Sequence, residues 1–255
     1  MTQNTPQNLI IYRLRLSENR AVEHIIDLNG PPDLGKHADW TQLDFYKCPH
    51  CPLKSERVPH CPLAASLETP VRLLSNLESH TPVDVQVIHR GRDIRKKTTL
   101  QRAAGSILGA IGASSGCPHT SFLKPMAWFH QPFSDDDETQ FRAIGTYLLG
   151  QHLRGMQGLT SDWGLDGLRD AYKKLRLVNQ SIAQRLRHAA QEDSSINGLI
   201  LLDLLASSAL SKSRGKSTIR PGRVPTQSEW QMQRQLLSPA FTTRFDQLWT
   251  VRAGN

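Results

Sequence analysis

The sequence predicts an α+β protein in which N-terminal antiparallel hairpins and a four-cysteine metal site precede a C-terminal antiparallel helical bundle. Three observations carry this reading. Asn8–Leu28 and Val83–Thr98 alternate apolar and polar residues around short turn signals, the period-2 pattern of half-buried hairpins. From Ser134 to Leu210 apolar residues recur at helical spacing instead. All four cysteines fall in two short stretches, YKCPHCPLKSERVPHCPL at 46–63 and GCPH at 116–119. The organisation expected is a metal-binding α+β part over 1–133, a helical bundle over 134–210, and a basic linker with a final helix over 211–255.

In chain order, LIIYRLRL and AVEHIIDL flank Ser-Glu-Asn-Arg as the first hairpin, and the Pro/Gly stretch 30–35 ends it. Trp40, Phe45 and Tyr46 lead into the cysteines as an apolar cover, with Trp40 a core residue. Residues 63–79 have helical spacing, with Pro70 as a boundary or kink. VDVQVIH and the strand after it join at Arg90-Gly91 as the second hairpin. Thr99–Ala113 is a helix whose Gly105, Gly109 and Gly112 are spaced for close approach of another backbone, and which delivers Cys117 at its end. Phe122–Phe133 reads as an irregular connector. Ser134 is the expected N-cap of the next helix, with carboxylates following on the positive end of its dipole. Trp163–Ala190 and Ser194–Leu210 supply the other helices of the bundle, and 228–250 a last one interrupted at Pro239.

A chain of 255 residues is long enough for one large domain or two small ones. Its polar N-terminus lacks the basic and apolar regions of a signal peptide, so a reducing cytoplasm and free thiols are expected. No stretch approaches the roughly 20 apolar residues of a membrane span. The net charge of +8 is concentrated in Arg90–Arg102, with six basic residues, and Lys212–Arg223, with five. Arg90, Arg92, Arg95, Lys96, Lys97 and Arg102 are the candidate anion or nucleic-acid contacts; a solvated basic loop is the more common explanation of such a run.

Cys48 and Cys51 share one tight turn, Cys61 follows ten positions on and Cys117 is remote, the distribution a tetrahedral thiolate site needs. Zinc is the metal expected, with a [4Fe–4S] cluster as the alternative and redox-active or unliganded thiols as a third case. His50, His60 and His119 are alternative ligands, second-shell donors or plain loop residues. Cys-Pro-x-Cys is similar to the zinc-ribbon and rubredoxin knuckle, but Pro52 stands where that knuckle has glycine and has no N–H to give a sulfur.

The wider set, Cys-Pro-x-Cys-Pro-Leu, Cys-Pro-Leu-Ala, Ser-Gly-Cys-Pro-His and Lys-Pro-Met-Ala-x-Phe-His-x-Pro-Phe, resembles an uncharacterised, mainly proteobacterial protein family from near Ile10 to near Leu210. The resemblance implies a bacterial cytoplasmic protein and brings no activity with it. Phosphate-binding loops, dinucleotide fingerprints, HExxH and GxSxG are absent, and a Cys117–His130 nucleophile pair is one that any chain with ten histidines permits. Whether the protein is an enzyme stays open. The expectation is a metal-binding regulatory or interaction protein with a protein partner, no membrane and no catalysis. The alternatives are a nucleic-acid-binding protein using 90–102 and 212–223, and an iron–sulfur redox enzyme or sensor.

Overall fold

The structure, a computed structural model, describes residues 6–30, 35–74 and 77–192, with side chains through residue 189. Strands β1 (Leu9–Ser17), β2 (Arg20–Asp27), β3 (Pro82–His89) and β4 (Arg92–Thr99) are the two expected hairpins, joined edge to edge in the antiparallel order β2-β1-β3-β4. Helices α1 (Pro62–Leu74), α2 (Leu100–Ser114), α3 (Lys124–Trp128), α4 (Asp136–Met156) and α5 (Asp166–Glu192) complete the described elements, with short 3-10 turns at Asp39–Thr41 and Ser121–Leu123.

Register decides which face is buried. Tyr12 lies opposite Val87 and Leu14 opposite Val85, so these four share one face with Ile10 and Val83, all nearly fully buried. Leu67, Val71 and Leu74 of α1 and Ala103, Ala104, Ile107 and Ile111 of α2 pack into the same core. Each leucine, isoleucine or valine among them contributes about 1.5–3 kcal/mol when fully buried. The opposite face carries charge pairs: Arg13 with Glu23, Arg15 with Asp84 and Arg95 with Asp93. At the second hairpin's turn Arg90 and Gly91 both have positive φ, 51° and 75°, the geometry of a type I′ turn. The Arg90 guanidinium lies over the Trp128 and Phe129 rings at 5.3 and 5.5 Å, which offsets the strain of a side chain in the left-handed region.

Four expectations change. The 122–133 connector is partly helical, because Pro125 falls in the first turn of α3, where its missing N–H costs no bond. The N-cap of α4 is Asp135, not Ser134: only Asp135 has a glutamate three residues on, and Asp135 and Glu138 form a reciprocal capping box. Ser134 instead donates to the Gln131 carbonyl. Gly109 and Gly112 have nothing among the described residues within 4 Å of where a Cβ would stand, so no described backbone packs on that side of them. Finally, α5 does not stand with α4 as a separate bundle: Val178, Ile182, Leu186 and Ala189 join the sheet's own core. The stretches expected to be helix at 194–210, linker at 211–226 and helix at 228–250 lie outside the described residues.

Candidate metal centre

The cysteine stretch is held by backbone pairing. Leu43 N donates to Pro59 O at 2.8 Å and Cys61 N to Thr41 O at 2.7 Å, and Gln42 bridges His60. This short antiparallel clasp sets Cys61 beside the turn that starts at Cys48, where Cys51 N donates to Cys48 O at 3.0 Å. Helix α2 then brings in Cys117, as its sequence position suggests. Gly116 turns the chain with φ +85°, and a Cβ there would stand 3.8 Å from Cβ of Pro62, the residue after Cys61. Two residues past Cys117, the His119 ring packs on His50 with centroids 4.0 Å apart, and His119 Nε2 lies 2.9 Å from the His50 carbonyl. Contacts between their neighbours thus tie all four cysteines into one region.

All four are free thiols, Cys117 buried and the others half-buried. Burial pushes the Cys48 thiol above its ordinary range, with the nearby Ser181 side chain partly opposing it and Cys61 and Cys51 adding to it. Burial pushes Cys117 up to about 11. No group of three or more Cys, His, Asp or Glu among the described residues is arranged to hold a metal ion; the thiols are gathered into one region without being closed around a point.

Helix α5 covers this region through Ser181, Arg185 and His188, which share one helix face. His188 packs edge-on against Phe45 at 5.1 Å and tilts over Tyr46 at 5.9 Å. Arg185 is 1% exposed. It donates to the carbonyls of Trp40 (2.9 Å), Gln42 (2.6 Å) and Leu43 (2.9 Å), which solvate the guanidinium without neutralising it. Burial lowers its proton affinity; the influences that oppose this come from Cys61, Cys48 and Cys51, ahead of Asp44, which is solvent-exposed. A buried cation needs a countercharge, and cysteines supply one only as thiolates.

The histidines divide. Both ring nitrogens of His50 are buried and make no hydrogen bond of full geometry; burial chiefly, then the His119 and Lys174 charges, lower its proton affinity, and the Lys174 backbone opposes this. His60 Nδ1 instead meets Thr41 Oγ1 at 2.8 Å, and its ring lies beside His37 at 5.0 Å. His50, four free thiols and a buried guanidinium thus lie in one region of the fold. Arg185 was legible only as a charge on the apolar stripe of α5, between Ile182 and Ala189.

The basic candidates are split between the two faces of the sheet. By register Arg92 and Lys96 of β4 lie on the helix side of the sheet and Arg95 and Lys97 on the other. Arg90 sits on the aromatic rings at the turn, Lys96 lies 5.7 Å over Phe133, and Arg102 is in the first turn of α2, where its N–H donates to Thr99 Oγ1. No helix among the described residues is long and apolar enough to cross a membrane.

No curated protein and no solved structure matches the chain. Residues 208–251 match a domain of unknown function, DUF4113, outside the described residues. Residues 10–217, most of the chain and close to the span expected from the cysteine motifs, match a second domain of unknown function, and the chain belongs to that family, DUF6901.

Proposed function

We propose that the protein is a metal-binding regulatory or interaction protein whose Cys48, Cys51, Cys61 and Cys117 hold zinc as thiolates. The observation that supports this best is Arg185, a permanently charged side chain buried at 1% exposure with three cysteines as its strongest attractive partners. Neutral thiols leave that charge uncompensated. A four-thiolate zinc centre is net negative and removes the conflict, and the metal draws in sulfurs that the clasp and α2 already gather. His50, with its nitrogens unmet, either replaces one thiolate or supports the others from outside the ligand set.

A [4Fe–4S] cluster would satisfy the same charge, so the deciding experiment is anaerobic purification with an absorption spectrum and elemental analysis. Near-stoichiometric zinc in a colourless protein, lost in Cys48→Ser and Cys117→Ser, is the expected result. Iron and sulfide with visible absorption would replace zinc by the cluster. Four titratable thiols with neither metal would sink the assignment.

A further inference from the structure

A cleft of about 750 Å³ opens on the other side of α2, between α2, α3 and the facing ends of α4 and α5. That size suits a small organic ligand. Gly105 and Gly109 line it, and the empty space over Gly109 is part of its volume. Leu123, Met126 and Leu175 supply apolar wall. Its polar groups come from four separate elements. Ser106 Oγ lies 2.6 Å from Tyr12 Oη, which is 2.5 Å from His130 Nε2, a hydrogen-bonded row running from the cleft into the core. Burial lowers His130 to about 3, so the imidazole is neutral.

Beside it stands Arg142. Its guanidinium donates to the carbonyls of Met126 (2.7 Å) and Phe129 (3.2 Å) and to Ser134 Oγ (3.3 Å), all neutral oxygens. Burial lowers its proton affinity, and Glu138, the carboxylate that opposes this, is held in the capping box of α4. Tyr172, packed edge-on against Phe122 at 5.4 Å, is close enough to feel Arg142, and burial raises its phenol to about 12.

We propose that this cleft binds a small monocarboxylate with an apolar body, its carboxylate on Arg142 and Tyr172 and its hydrocarbon on the Leu123–Met126–Leu175 wall. A guanidinium with only neutral partners takes a carboxylate through its planar donors, and a protonated phenol adds one more donor. Asp135, Asp136 and Asp137 line the cleft against two cations, Arg102 and Arg142, so the excess of acid disfavours a multiply charged anion more than a singly charged one and selects a monocarboxylate over a phosphate. The inference stands apart from the cysteines and does not depend on what they bind.

The test is titration of the full chain with hexanoate, and in parallel with inorganic phosphate, followed by calorimetry and melting temperature. Hexanoate should bind saturably and raise the melting temperature. Arg142→Met should weaken it at least about tenfold, as loss of a charged partner does. Gly109→Leu should abolish binding while the ligand-free protein melts near the wild-type temperature, since a Cβ there has nothing within 4 Å and leucine is a better helix former than glycine; it keeps the test valid should Arg142→Met fail to fold. No binding at about 10 mM hexanoate, well above a millimolar Kd, would overturn the proposal. So would binding unchanged in Gly109→Leu, or phosphate bound in preference to hexanoate.

Discussion

Replacing Arg185 by Met separates a countercharge from a mere filler of space. The substitution keeps an unbranched apolar stem and removes the donors to three carbonyls, of which those of Trp40 and Leu43 are buried. Each buried carbonyl left bare costs about 1–3 kcal/mol, and losing an unpaired buried charge returns several kcal/mol. In metal-free protein the two nearly cancel, and the expected stability change is within about 2 kcal/mol of zero. With metal bound there is no such cancellation, because the attraction to the thiolates is lost too. Zinc affinity should fall about 10–100-fold, the usual cost of removing a partner behind the ligands. Arg185→Lys keeps the charge but not the fork that reaches three carbonyls, so it should hold zinc more tightly than Arg185→Met while losing stability. Competition against a chromophoric chelator, with urea melts in the presence and absence of zinc, measures both quantities. Unchanged zinc affinity in Arg185→Met would refute the countercharge argument even if the protein were less stable.

Other outcomes are as direct. His130 is held near 3 when folded and returns to about 6.5 on unfolding. Between those values the unfolded chain holds the extra proton, so stability falls as pH drops below about 6.5, by up to about 1.4 kcal/mol per pH unit. Urea midpoints at pH 7, 6 and 5 should show this slope, and His130→Gln should reduce it by the His130 share, leaving that of His24, His50 and His152, which burial also lowers. Asp135→Ala removes the side-chain acceptor of the Glu138 N–H and leaves only the Glu138 half of the capping box, and should cost about 1 kcal/mol, whereas Ser134→Ala should change thermal melting far less. Gly167→Ala would drive a methyl into the Tyr147 hydroxyl, which donates to Asp162 at 2.8 Å; a double-mutant cycle with Tyr147→Phe should show the two losses to be less than additive.

The hairpins were readable because one buried face forces period two, as the run Val83, Val85, Val87 shows. Helix α2 was readable from its small and apolar residues, but Thr99, expected as its first residue, is its N-cap, with Oγ1 accepting from Arg102 N. The approach of Cys117 to the other cysteines followed from a helix ending just before it, although no spacing rule links residues so far apart. What escaped was tertiary. Asp135 and Ser134 are equal caps in isolation, and only Glu138 decides between them. The glycines of α2 have the spacing of a tight helix contact, yet what faces them is set by where α3 and α4 pass. Arg185 is in sequence only a charge on an apolar stripe, and its role shows once α5 is laid against Trp40, Gln42 and Leu43, residues more than a hundred positions away in the chain.

The strand order also fixes how the sheet meets other chains. Its two outer strands are β2 and β4, and they are defended unequally. Arg92, Arg95, Lys96 and Lys97 are all exposed along β4, so a second copy laid antiparallel against that strand brings cation onto cation. Strand β2 has Arg20 and Glu23 of opposite sign and leaves Ile25 half exposed. When the fold loosens, self-templated strand addition therefore begins along β2, and a lysine in place of Ile25 is the substitution that closes that route.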